Sequence, residues 1–517
     1  MTVRKMRFAL LFIPVLFSTI SFSQTKLPRS NPEAEGVSSR GIIRFLDAVA
    51  ATNNEMHSIM ILRHGKVIAE GWWNPYRADL KHTMYSVSKS FTATAVGLAI
   101  AEKKLSVDDK IVSFFPNRLP DTVSKYLSDL TVKNLLSMTV GQAPDPTGLA
   151  VTADRPWSTT FLSLPLTDKP GTKFLYNSLG SYMLSAIMQK VTGQKVIDYL
   201  RPRLFTPLGI QGMDWEVDPE GINTGGWGLR VKTEDMAKFG QLFLNRGRWK
   251  GKQILPASWI EEATTMKIDQ APDMPQAKKD SSDWTQGYCY QMWRCRHNGY
   301  RADGAFGQYI IVMPELDAVI AITSETANMQ NEINLVWEHI LPAFKKSKLS
   351  PGEDLAVLKK KLAALKLQPP AKKISPLEKT ISGKTFVMEA NSAEIKAMSF
   401  KFANNTCFAT ITTDTAVHHF VFGAGSWKEG TTTKKGPSLV GRAKAHFAGL
   451  PAPKVDCSYT WKDNQTLELQ LRYIESPHTE KISCRFENST VSMDVRNSFD
   501  SNPANKAPTL KGSYEEK

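Results

Sequence analysis

The chain has 517 residues, 42% of them hydrophobic and 22% charged, with a formal charge of +15. These proportions exclude wholesale disorder, collagen and coiled coil, and the length exceeds what one hydrophobic core usually fills, so more than one domain is expected. Five cysteines are too few for a disulfide scaffold of this size, and their odd number leaves one unpaired within the chain.

At the N-terminus Arg4, Lys5 and Arg7 precede the apolar run Phe8–Phe17, and Ser21 and Ser23 place small residues two apart before Gln24. This is the pattern of a secretory signal over residues 1–23, with a periplasmic or secreted product. An N-terminal membrane anchor is the competing reading, but the run is short and its flanks are wrong for a spanning helix. Cleavage would remove Arg4, Lys5 and Arg7 and lower the charge from +15 to +12. No cysteine follows the run to carry a lipid, and no transmembrane segment is expected after it. An exported chain can form disulfides. None of Cys289, Cys295, Cys407, Cys457 and Cys484 sits in a C-x-x-C pair, however, and the nine histidines lack ligand spacing.

Residues 57–63 and 66–73 read as a hairpin turning at His64-Gly65. Residues 86–102 are apolar on nearly every side after the first turn, as in a helix buried in a large core. Residues 179–200, 232–245 and 331–344 also read as helices, and 307–323 as a hairpin around Pro314-Glu315. Strands at both ends of the region with helices between them imply one mixed α/β (α+β) domain over 24–346. Residues 347–372 form a linker in which Leu355, Leu358, Leu362 and Leu365 trace a helical stripe beside Lys359-Lys360-Lys361. A packed linker helix is favoured there over a membrane-surface helix. From 373 the period becomes two: Leu467, Leu469, Leu471 and Tyr473 alternate with polar residues, as do Val455, Cys457, Tyr459 and Trp461. Residues 373–517 are therefore expected to be an all-β domain, a small barrel or a sandwich.

The chemistry concentrates at Ser86-Val87-Ser88-Lys89. A serine at a helix N-terminus lies near unpaired backbone N–H groups and the positive end of the dipole. A lysine three residues on shares its face and, if buried, loses basicity and can take the serine proton. Ser-x-x-Lys alone is a weak signal; it occurs twice, the other match being Ser23 to Lys26. Ninety residues on comes Pro170-Gly171-Thr172-Lys173-Phe174-Leu175-Tyr176-Asn177-Ser178, and later Ala302-Asp303-Gly304-Ala305-Phe306-Gly307-Gln308.

These three motifs, in this order across residues 30–345, resemble the serine β-lactamase and penicillin-binding superfamily. The match is to its class C β-lactamase-like serine hydrolases, in the branch of esterases, D-aminopeptidases and aminohexanoate-oligomer hydrolases. The resemblance implies an antiparallel sheet flanked by helices, with a helical subdomain. It implies Ser86 as nucleophile, with Lys89 and Tyr176 moving protons and Tyr176 favoured as phenolate by the Lys89 charge. The N–H groups of Ser86 and Ala305 would form the oxyanion hole. Ser178, Asn177, Asp303, Gly304 and Trp227 become candidate substrate contacts, and Trp72, Trp73, Tyr288 and Trp293 candidate walls for which core packing is the safer reading. No metal or organic cofactor is implied.

Two departures bear on the substrate. The tyrosine motif ends in Ser178, and the third motif has no lysine to hold a β-lactam carboxylate, while Asp303 would repel one. Weak β-lactamase activity is expected. Asp303 could attract a substrate ammonium, although pairing with Arg301, Arg294 or Arg296 is favoured. The function expected is an exported hydrolase of small-molecule or short-peptide ester or amide bonds. The alternatives are a D-amino-acid peptidase or cell-wall peptide-processing enzyme, and a non-catalytic cell-wall binding protein. No nucleic-acid motif accompanies the positive charge.

Overall fold

The first hairpin carries apolar side chains on both faces, and the fold uses both. The computed structural model describes residues 26–500 and 508–514; the expected export signal lies outside the described residues. Strands β1 (Glu55–Arg63) and β2 (Lys66–Trp72) form the hairpin. Met60 and Leu62 enter one hydrophobic core, and Ile59 and Ile61 enter another on the opposite face, because successive strand residues point opposite ways. Strands β3 (Trp293–Arg294), β4 (Tyr300–Gly304), β5 (Gln308–Met313) and β6 (Ala318–Glu325) complete an antiparallel sheet in the order β2-β1-β6-β5-β4-β3. The pairing of β1 with β6, from Glu55 opposite Glu325 to Arg63 opposite Ala318, joins the two ends of the domain.

Helix α1 (Ser39–Ala50) buries Ile42, Phe45, Leu46 and Val49 against one face of the sheet, together with the closing helical segment 329–343. On the other face lie α2 (Ser88–Ala101), α3 (Ser178–Thr192) and α4 (Thr233–Leu244). Helix α2 is buried from Ser88 to Ala99 because it passes between the sheet and a helical subdomain. The expected helix over 179–200 is broken: α3 ends at Gly193, which takes the left-handed cap at φ 70°, and a short helix resumes at Val196–Leu200. The linker helix α5 (Glu353–Ala363) packs on α1. Leu358 is buried, Leu362 and Leu365 join the same core, and ion pairs Arg40–Asp354 and Lys361–Asp47 flank it.

The C-terminal domain is a barrel. Its strands are β7 (Thr385–Met388), β8 (Ile395–Ala403), β9 (Thr406–Thr413), β10 (Val417–Ala424), β11 (Lys428–Thr431), β12 (Lys454–Trp461), β13 (Thr466–Tyr473), β14 (Thr479–Glu487), β15 (Thr490–Asn497) and β16 (Leu510–Ser513). Nine of them close in the order β10-β9-β8-β7-β16-β15-β14-β13-β12, sealed by a short parallel pairing of Gly423 and Ala424 with Ser458 and Tyr459. Strand β11 is added outside, on β12. The interior is filled by the alternating residues singled out above and by Phe386, Phe400 and Phe486. All five cysteines are buried free thiols.

The barrel docks on the N-terminal domain through polar residues of its outer surface and through buried Ile474, which packs on Tyr76 and Leu80. Arg472 meets Glu55 at 2.5 and 3.2 Å, Glu475 meets Arg230 at 3.3 Å, and the Tyr76 hydroxyl donates to the Ser476 carbonyl at 3.0 Å. The loop 432–453 reaches back over the N-terminal domain. There the Phe447 N–H donates to the Glu216 carboxyl at 2.9 Å, the Val217 N–H donates to the Ala448 carbonyl at 3.0 Å, and Ala443 enters the helical core.

Candidate active site

Ser86 sits in the 3-10 turn Tyr85–Val87 that leads into α2. Lys89 follows one turn later, on the same side, and is buried. Its Nζ lies 3.0 Å from Ser86 Oγ, 3.0 Å from Ser178 Oγ and 2.7 Å from the carbonyl oxygen of Gly226. Three acceptors match the three donors of an ammonium, so the side chain is held without slack. Burial pulls the Lys89 amine down to about 7, against the opposing pull of Asp145 and Asp303. Near neutrality the group is therefore divided between amine and ammonium.

Tyr176 lies over this lysine, whose Nζ is 4.8 Å from the ring centroid. The ring stacks on Trp293 at 5.6 Å and meets Tyr288 edge-on at 6.3 Å, so these two aromatics wall the tyrosine. The expected phenolate is corrected. Burial drives the phenol well above its ordinary value, and the hydrogen bond to Ser86 offsets this only in part. Desolvation of an anion outweighs the nearby cation, so the resting group is a phenol.

Two of the expected substrate contacts are also corrected. Asn177 is fully buried: its Oδ1 caps α3 by accepting from the Gly180 N–H at 2.9 Å, and its Nδ2 donates to Gln142 at 2.9 Å. Trp227 is packed in the helical core against Trp157, with ring centroids 5.6 Å apart. Trp73 is likewise core, and Trp72 packs against the helical core. Asp303 is buried and paired with the buried Arg301 at 2.8 Å; the guanidinium lies over Trp284 and Trp293. It is a structural carboxylate, the reading favoured above. Ser178 faces Lys89 as described.

Gly304 ends β4, directly beside the nucleophile turn. A Cβ there would stand 2.3 Å from the Met84 carbonyl oxygen, so only glycine lets the strand approach this closely. Ala305 follows in the turn to β5, and Gln308 Nε2 donates to its carbonyl at 3.1 Å and to that of Ser324 at 2.7 Å. The turn is thereby tied to β6.

Two contributors carried no mark in the sequence. The Gly226 carbonyl belongs to a loop pressed so tightly on α3 that a Cβ at this glycine would stand 2.8 Å from the Ser178 carbonyl. Asp145 is exposed, with no Lys, Arg or His partner within ion-pair distance among the described residues, and its charge is felt at both Lys89 and Tyr176. It is anchored through Thr147, which donates to it from N–H and Oγ and accepts from the Leu179 N–H at the start of α3.

The β-lactamase family model matches residues 49–341, more than half of the chain. The chain is 24% identical over 287 residues to a 6-aminohexanoate-dimer hydrolase of Paenarthrobacter ureafaciens, covering 51% of this chain and 71% of that protein. It is 23% identical over 237 residues to an Escherichia coli K12 protein provisionally named a D-alanyl-D-alanine carboxypeptidase, covering 40% of this chain and 55% of that one. Among solved structures, a Bacillus anthracis protein provisionally named a 6-aminohexanoate-dimer hydrolase shares the fold with a TM-score of 0.51 at 22% identity. That alignment covers 65% of this chain and 88% of the other. The barrel lies beyond the family match.

Proposed function

The chain belongs to the β-lactamase family of serine hydrolases, and on that premise we propose that it is an exported enzyme cleaving ester or amide bonds of small molecules or short peptides through an acyl-enzyme on Ser86. The observation that carries this reading is the buried Lys89 amine, held 3.0 Å from Ser86 Oγ with its basicity reduced to about 7. In its neutral form it accepts the serine proton as Oγ attacks the carbonyl carbon. The Ser86 and Ala305 N–H groups receive the oxyanion. Tyr176, a phenol at rest, gives its proton to the departing alcohol or amine. The acyl-enzyme then holds a Lys89 ammonium beside a Tyr176 phenolate. The phenolate takes a proton from water as that water attacks the ester. Ser86 leaves with the proton held on Lys89, and both groups return to their starting forms.

Asp145 supports a preference for substrates with an ammonium near the scissile bond, since it stands exposed without a basic partner among the described residues while Asp303 is neutralised by Arg301. The same charge favours an aminopeptidase over a carboxypeptidase as the second reading, because a substrate carboxylate would be repelled. β-Lactams, which carry a carboxylate, are expected to be poor substrates.

Profiling the mature protein and Ser86→Ala on short-chain esters, D-amino-acid amides and nitrocefin tests the proposal. Serine-dependent turnover of the first two classes is expected. Turnover that survives in Ser86→Ala would place the chemistry on another group, and no turnover at all in wild type would support a binding role.

A further inference from the structure

Both backbone segments assigned to the oxyanion hole are flanked by residues in an unusual conformation. Tyr85, immediately before Ser86, has φ 44°, and Phe306, immediately after Ala305, has φ 66°. Non-glycine residues are sparse in this left-handed region, and they persist there only when their surroundings hold them. Here both side chains meet the same residue of the barrel, His478. Its ring centroid is 5.7 Å from that of Tyr85 and 4.7 Å from that of Phe306, edge-on in each case, and the two aromatic rings are 5.6 Å from each other.

His478 is fully buried and bonded at both nitrogens. Nδ1 lies 2.6 Å from Glu325 Oε1, at the end of β6, and Nε2 lies 2.5 Å from the Tyr85 hydroxyl. Burial holds Tyr85 as a phenol, and its hydroxyl shares one hydrogen bond with Nε2 while Nδ1 shares another with Glu325. Ser498 Oγ donates to the same carboxylate oxygen at 2.6 Å. Ser438 and Leu439 of the 432–453 loop also hydrogen-bond with the Tyr85 hydroxyl. The contacts run from the sheet through the barrel to the nucleophile turn.

We propose that His478 is a positioning residue of the hydrolytic site: through Tyr85 and Phe306 it holds the Ser86 and Ala305 amides where the oxyanion forms. The proposal rests on the Ser86 acyl-enzyme reading. It makes the barrel a functional part of the active site.

The test compares full-length wild type, His478→Ala, His478→Gln, Tyr85→Phe and Arg472→Met. The last removes one ion pair of the docking surface, with Glu55, and leaves the His478 contacts to Tyr85, Phe306 and Glu325 in place. The readouts are the rate of Ser86 labelling by a fluorophosphonate, kcat and KM on a p-nitrophenyl ester, inhibition by phenylboronic acid, and thermal melting. His478→Ala is expected to lose about 10- to 100-fold in labelling rate and kcat, with KM within about threefold and a parallel loss of boronate affinity. His478→Gln, whose amide can still hydrogen-bond to Tyr85, should recover part of the loss, and Arg472→Met should stay near wild type. Tyr85→Phe keeps the ring and removes the bond, so it should move the same way even if His478→Ala fails to fold. Wild-type rates in His478→Ala and Tyr85→Phe, an equal loss in Arg472→Met, or a loss confined to KM would overturn the proposal. Absence of labelling in wild type would overturn the Ser86 reading and this one with it; labelled wild type with an unaffected His478→Ala overturns this one alone.

Discussion

At the scale of single residues, the site is governed by how far burial shifts two proton carriers. Only neutral Lys89 can take the Ser86 proton, so kcat/KM should rise through about pH 7, the value to which burial brings the amine. The same shift acts on stability. The unfolded chain binds more protons than the folded one between about 7 and the ordinary lysine value of 10.5, so this group's contribution to stability rises with pH across that window. Lys89→Met should lower kcat by about 10²- to 10⁴-fold while melting no earlier than wild type, since it removes a desolvated charge; pH–rate profiles and calorimetry read the two effects separately. Asp145→Asn should raise KM for an aminated ester by about fivefold at low ionic strength and leave a neutral ester of equal size unchanged. Equal effects on both esters would remove Asp145 from substrate recognition. Ser86, Lys89, Tyr176 and Ser178 were legible because their chemistry needs those residue types at those spacings. Asn177 and Trp227 were misplaced because sequence adjacency does not reveal which neighbour turns inward: Asn177 is consumed as a helix cap and Trp227 as core.

At the scale of elements, catalytic geometry depends on how closely β4 approaches the nucleophile turn. Gly304→Ala would drive a methyl into the Met84 carbonyl, so it should lower kcat by about 100-fold through displacement of the Ala305 amide. Arg301 ties the middle of the same strand. Its pairing with Asp303 is buried, and Arg301→Met should destabilise the fold by about 3–5 kcal/mol by leaving a buried carboxylate uncompensated. A smaller loss in denaturant titration would mean that Asp303 accepts a proton or reaches water. That strands from both ends of the domain share one sheet was readable because they bracket the helices, whereas the order of the strands was not. The break after α3 could be read from Gly193, whereas the 3-10 turn that places Ser86 ahead of α2 leaves no trace in apolar spacing.

At the scale of the molecule, an all-β C-terminal domain followed from a period of two, but its closure into a barrel and its docking did not. Its contacts include the polar residues Arg472 and Glu475, which in the sequence look like solvated surface. Burial pushes the Glu55 carboxyl up, but Arg472 and His57 outweigh it and hold it well below the usual range. That contribution is present above the unfolded value near 4.5 and is lost as pH falls through the folded one, so domain docking should weaken in acid. Limited proteolysis across 347–372 as a function of pH would show it. The central claim is that Ser86 carries the acyl group in a site that both domains complete. Rapid acid quenching of full-length protein during ester turnover, followed by peptide mass mapping, tests this most directly. An acyl adduct on the Ser86 peptide, absent from Ser86→Ala, is expected; sustained turnover with no adduct there, or an adduct on another residue, would rule out Ser86 as the acyl carrier.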